Sequence, residues 1–184
     1  MKILRNRSFQ LLCALFAPFV VTADLVADSL PDATGACVTE LATGDHATQL
    51  ANNTPLELKV TAVDGSEINL ANLRGKVVLL DFWATRCPPC VEEVPNVLAA
   101  YNKFHGKGFE IIGISTDENK EILIRFIKAR GITWPQYLDE NRQISRHFKI
   151  NGLPTMWLID KKGLITNANA RDDLQGNVEK LLAQ

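Results

Sequence analysis

Cys87-Pro88-Pro89-Cys90 places two thiols three residues apart, at the seam between an apolar run, Val77 to Trp83, and an amphipathic helical pattern. Strand, dithiol and helix in that order make sulfur reactive. The first turn of a helix points unpaired N–H groups and the positive end of its dipole at the residue in front of it, which stabilises a thiolate there. That thiolate attacks a disulfide, and a second cysteine one turn further in can attack the resulting mixed disulfide and release the partner. The spacing therefore assigns attack to Cys87 and resolution to Cys90. Pro88 and Pro89 have no N–H, so fewer donors reach the thiolate at this helix start.

The elements that must hold this pair follow from the hydrophobic pattern. Leu56, Leu58 and Val60 alternate with polar residues, Asp64-Gly65 makes a turn, and Glu67 to Leu70 resumes, which predicts a β-hairpin. Lys76 to Trp83 and Phe109 to Ile114 are buried-strand patterns, separated by a helix over Cys90 to Phe104 that ends at His105-Gly106. Ser115-Thr116-Asp117 is placed to cap a helix over Glu118 to Ala129, and Gly131 stops it. A strand over Thr133 to Leu138 and a helix over Asn141 to Phe148 come next. A strand over Thr155 to Asp160 then turns at Lys161-Lys162-Gly163 into Leu164 to Thr166, and a helix over Leu174 to Leu182 closes the chain. Alternating strands and helices around two wholly apolar strands predict an α/β fold with a sheet covered on both faces.

The first 23 residues have a different character. Lys2, Arg5 and Arg7 precede an apolar run from Leu11 to Val21, and Val21-Thr22-Ala23 supplies small residues before Asp24. This pattern predicts a secretory signal cleaved near Ala23, with a retained membrane anchor as the alternative. The run is about half the roughly 20 residues a spanning helix needs, and Pro18 interrupts it. Removing three positive charges and no acidic ones takes the formal charge from -1 to -4. No basic stripe or aromatic and basic interleaving appears, which argues against nucleic acid as a partner. Cys13 leaves with the signal, and Cys37 lies in a polar segment, 24–54, expected to be a linker or loosely ordered arm. The remaining chain, 55–184, is one domain.

Phe82-Trp83-Ala84-Thr85 before Cys87, Glu93 and Pro95 after Cys90, and Gly152-Leu153-Pro154-Thr155 before a late strand together resemble the thioredoxin-fold proteins of the TlpA/ResA type. The resemblance runs from about Pro55 to Gln184. It implies a thioredoxin-like fold, a central mixed β-sheet flanked by helices, with an added N-terminal β-hairpin at Leu56 to Leu70 and a helix-strand insertion at Glu118 to Leu138. It also implies that Pro154 is a cis-proline lying against the dithiol, leaving the backbone of Leu153 to pair with an extended stretch of substrate.

The same resemblance assigns proton handling to two acids. Glu93 occupies the family's acidic position three residues after the second cysteine, one helical turn beyond Cys90. A partly buried carboxyl there can move a proton to or from Cys90. Asp81 lies six residues before Cys87 in an apolar strand, where related thioredoxins carry a buried aspartate with that duty. Arg86 departs from the family, which usually has Trp immediately before the first cysteine. Its guanidinium would favour the Cys87 thiolate, and it removes an aromatic contact surface. Pro154, Leu153, Trp83 and Arg86 form the expected substrate-binding set.

His46, His105 and His147 are not spaced as partners of the dithiol, and one CxxC supplies only two metal ligands, so no metal site is expected. Neither cysteine has Thr three residues before it and Pro seven before it, the pattern shared by thiol peroxidases. The expected activity is thiol-disulfide exchange with protein thiols and disulfides in the periplasm or outside the cell, most simply as a reductase. Apocytochrome c thiols are one implied substrate, a membrane dithiol donor would recharge the site, and no cofactor is needed beyond the redox-active Cys87–Cys90 disulfide. Oxidase or isomerase activity, or a binding module with a static disulfide, are the alternatives.

Overall fold

A computed structural model describes residues 53–184. The expected signal and its cleavage near Ala23, nearly all of the 24–54 arm, Cys13, Cys37 and His46 lie outside the described residues. A short hairpin, β1 (Lys59–Thr61) with β2 (Glu67–Asn69), precedes the main sheet and turns through Gly65 at φ 89°. The main sheet is built from β3 (Val77–Trp83), β4 (Phe109–Ser115), β5 (Gln136–Leu138), β6 (Thr155–Ile159) and β7 (Ile165–Asn167) in the order β5-β4-β3-β6-β7. Strands β3, β4 and β5 run parallel, while β6 and β7 are antiparallel to their neighbours. The helices are α1 (Pro88–Phe104), α2 (Lys120–Arg130), α3 (Gln143–His147) and α4 (Leu174–Leu182). This mixed sheet flanked by helices is the thioredoxin-like α/β fold, with α2 and β5 as the insertion.

All seven residues of β3 are buried, and side-chain alternation sends them to two different cores. Val77, Leu79 and Trp83 pack with Cys90, Val94, Val97 and Phe104 of α1 and with Leu174 and Val178 of α4. Val78, Leu80 and Phe82 face the opposite way, against Leu58 and Val60 of the hairpin, Ile144, Phe148 and Trp157. Each such fully buried Leu, Ile or Phe contributes about 1.5–3 kcal/mol. Asp81 has the parity of Leu79 and Trp83, so the alternation that builds the α1 core also carries a carboxyl into it.

Several boundaries differ from the sequence expectation for identifiable reasons. Helix α1 starts at Pro88 rather than Cys90, because a proline at the first positions of a helix has no N–H to lose. The left-handed residue after α1 is Gly108, φ 94°, since a short 3-10 turn over His105–Lys107 extends the helix past Gly106. Helix α2 is capped by Asn119, whose side chain accepts from Ile122 N–H at 2.9 Å, so Ser115-Thr116-Asp117 does not cap it. Strand β5 begins at Gln136 rather than Thr133, because Pro135 cannot donate to the ladder.

Candidate active site

The dithiol sits at the carboxyl end of β3, on the first turn of α1. Cys87 is the N-cap residue of that helix, in extended conformation, and its sulfur accepts the N–H of Cys90 at 3.3 Å. That N–H is the first one the helix offers after two prolines. Cys87 and Cys90 are joined as a disulfide. Their environments differ: Cys87 is half-buried, whereas Cys90 is 4 % exposed and packed in the α1 core. An incoming sulfur can reach Cys87 but not Cys90.

The loop before Cys87 is held from β4. Asp117, just past the end of that strand, accepts the Thr85 N–H at 2.9 Å and the Thr85 hydroxyl at 2.8 Å, and also the Ser115 hydroxyl at 2.7 Å. Arg86 donates to the Thr116 carbonyl at 2.8 Å and lies 3.6 Å from the Asp117 carboxylate. Its guanidinium is thus engaged by the β4–α2 connection, which competes with any influence on Cys87. Asp117 was legible only as a cap. The signal that could have found it is its place at the carboxyl end of a buried strand next to β3, where a parallel sheet gathers its loops.

Asp81 lies beneath Cys90 on the α1 face, 8 % exposed, and its Oδ1 has no hydrogen-bond partner among the described residues. Burial, and secondarily the negative charge of Glu93, push its carboxyl up to about 7 from the ordinary 3.8. Glu93 is on α1 with 14 % of its side chain exposed. It accepts from the Asn96 amide and, at 3.4 Å, from Arg171 in the turn before α4. Neighbouring Glu92 faces solvent.

Leu153 and Pro154 are half-buried and joined by a cis peptide bond. Leu153 packs against both cores, and neither of its backbone polar groups is bonded within the described residues. Trp83 is placed differently from the expectation of a substrate contact. It is 3 % exposed, and its indole N–H donates to Gln136 Oε1 at 3.0 Å. It therefore lines the core behind the dithiol rather than the groove in front. Sequence reasoning did not single out Gln136, a buried amide in β5; its signal was a polar residue at an inward position of a short apolar strand.

Residues 48–168 match the AhpC/TSA family. The thiol-disulfide oxidoreductase ResA of Bacillus cereus is 34% identical over 126 residues, 66% of this chain and 73% of that relative. ResA of Bacillus subtilis is 36% identical over 102 residues, 55% of this chain and 57% of that one. Among solved structures, the thioredoxin domain of a thiol-disulfide oxidoreductase from Bacteroides vulgatus superposes with a TM-score of 0.64 at 33% identity, covering 78% of this chain and 99% of that one.

Proposed function

The chain belongs to the AhpC/TSA family, as a TlpA/ResA-type thioredoxin-like thiol-disulfide oxidoreductase, and on that premise we propose that it is an extracytoplasmic reductase of protein disulfides. The observation that carries the chemistry is the unequal burial of the two sulfurs: Cys87 accessible at a helix N-cap, Cys90 enclosed beneath it. In the reduced protein the Cys87 thiolate attacks one sulfur of a substrate disulfide, forming a mixed disulfide and expelling the other substrate sulfur as thiolate. Cys90 then loses its proton and attacks the Cys87 sulfur. The second substrate sulfur leaves, and the Cys87–Cys90 disulfide forms. Two electrons have passed to substrate, and the pair itself is the carrier, with no bound cofactor or metal.

Asp81 and Glu93 take and return the Cys90 proton in this scheme, through a carboxyl that burial keeps near neutrality. The free backbone of Leu153, beside cis Pro154, suits an extended substrate segment that pairs with it as an added strand. A reducing direction is supported by Pro88 and Pro89, which withhold two N–H donors from the Cys87 thiolate and so disfavour the reduced form. The basic and apolar first 23 residues support export, and a reductant in an oxidising compartment needs recharging, here by a membrane dithiol donor. The cysteine disulfide of an apocytochrome c, reduced to its two thiols, is the proposed substrate. Neither cysteine has the Thr and Pro spacing of thiol peroxidases, so peroxide is not the proposed oxidant.

Trapping tests substrate and direction together. A Cys90→Ala variant expressed in the native compartment is expected to accumulate a mixed disulfide through Cys87, with a cytochrome c apoprotein attached. A redox titration returning a potential near the roughly -120 mV of a strong oxidant would overturn the reductase assignment. Insulin reduction that survives Cys87→Ser would remove the mechanism altogether.

A further inference from the structure

Asp81, Gly113 and Gln136 form one row across the sheet. Asp81 of β3 is in register with Gly113 of β4, and Gly113 is in register with Gln136 of β5. Register partners in a sheet share a face, so all three positions look toward α1. Adjacent strands lie about 4.8 Å apart, which separates the outer two backbones by roughly 10 Å and leaves their side chains to converge over the middle residue. That residue has no side chain. A Cβ built on Gly113 would fall inside the Gln136 amide group, so the amide lies flat over the glycine.

The orientation of that amide is determined by its neighbour. Indole N–H is a donor only, so the Gln136 atom that meets Trp83 Nε1 at 3.0 Å must be the oxygen. The Nε2 donors are thereby turned elsewhere. Nε2 is buried and bonded to nothing among the described residues, and the same holds for Asp81 Oδ1. Both residues line one small cavity of about 10 Å³, together with Cys90, Trp83, Ile132 and Trp134. A buried donor and a buried acceptor that share so small a space without bonding each other are complementary partners for one bridging water.

We propose that Gln136 is a positioning residue for Asp81: held over Gly113 by the Trp83 indole, its amide donates through one bridging water to the Asp81 carboxylate and keeps that group ionisable beneath Cys90. This rests on the proton-handling role of Asp81 proposed above. The groups facing Asp81 from other elements are Cys90 and Glu93 of α1, the latter tied to Arg171, and the uncharged Met156 opposite it on β6. Glu93 opposes ionisation of Asp81, so the Gln136 amide supplies the compensating donor.

The test begins with the wild-type protein. The Gln136 side-chain amide resonances in NMR are expected to shift with pH at the midpoint of the Asp81 carboxyl. Gln136→Met, which keeps length and bulk without the donor, is expected to raise the Asp81 midpoint by about one pH unit. It should also move the pH profile of mixed-disulfide resolution to the alkaline side by the same amount. Gly113→Ala, which keeps the glutamine but fills the space under its amide, is expected to shift both in the same direction. Amide resonances indifferent to Asp81 ionisation, or an unchanged or lowered midpoint in Gln136→Met, would overturn the proposal. Asp81→Asn separates the two ideas. If its exchange profile matches wild type, the proton-handling role fails, while the carboxyl titration still judges the Gln136 contact.

Discussion

The Asp117 carboxylate accepts both the backbone N–H and the hydroxyl of Thr85, at 2.9 and 2.8 Å, and so fastens the chain two residues before Cys87 to the end of the neighbouring strand. The reactive cysteine is positioned from two sides, by the helix it caps and by this clamp. Asp117→Ala leaves the Thr85 N–H and the Ser115 hydroxyl without their acceptor in a buried site. We expect a loss of about 2–3 kcal/mol in urea unfolding and a roughly tenfold slower reduction of insulin. Asp117→Asn, which retains one acceptor oxygen, should lose less of both. Unaltered kinetics in Asp117→Ala would show that the helix cap alone positions Cys87.

Asp81 makes stability depend on pH in a predictable direction. Its folded carboxyl holds a proton up to about 7, whereas in the unfolded chain the value is the ordinary 3.8. The folded state therefore binds more protons between these limits, and its stability falls as pH rises from about 4 to about 7. Asp81→Asn removes this cost. The oxidised variant should match wild type below pH 4 and exceed it above pH 7, by up to about 4 kcal/mol. Urea unfolding at pH 4, 6 and 8 measures the difference, and a gap that does not widen with pH would contradict the assignment.

Glu93 acts on Asp81 through its charge. Neutralising it in Glu93→Gln removes the Coulombic part of what holds the Asp81 proton, leaving burial, the larger part. The Asp81 midpoint and the pH profile of exchange should both move to the acidic side, opposite in sign to the Gln136→Met effect. Because Arg171 is 41% exposed, breaking its contact with Glu93 should cost no more than about 1 kcal/mol. A carboxyl titration of Asp81 unaffected by Glu93→Gln would uncouple the two acids.

Arg86 is expected to matter little for the reactivity of Cys87. Its guanidinium is half-exposed, donates to the Thr116 carbonyl and faces the Asp117 carboxylate, so its charge is already offset by that partner. Alkylation of reduced Cys87 by iodoacetamide should change by less than about threefold in Arg86→Ala. A larger slowing would mean that the arginine swings to the thiolate on reduction.

Local patterning was enough for the features that depend on neighbours in the chain. The apolar runs at β3 and β4, the Asp64-Gly65 turn, the stop at Gly131 and the final helix Leu174–Leu182 all follow from periodicity and turn chemistry. So does the placement of Cys87 ahead of the helix and of Cys90 one turn in, because helix polarity and a three-residue spacing are local properties. Even Asp81 was legible, since a carboxyl inside a strand with no other polar residue has to be desolvated.

What the sequence could not determine is which polar residues meet across strands. Ser115-Thr116-Asp117 looks like a helix cap in one dimension, and only the parallel pairing of β3 with β4 turns Asp117 toward Thr85. Trp83 is expected to contact substrate beside the dithiol, yet its indole is buried against Gln136, 53 positions away. The row of Asp81, Gly113 and Gln136 likewise exists only once the strand order brings three separate segments into register. The placement of Cys87 at the helix N-cap and of Cys90 inside the first turn was therefore readable from the chain. The environment of the Asp81 carboxyl was decided by the sheet, because hydrogen bonds and desolvation act through space.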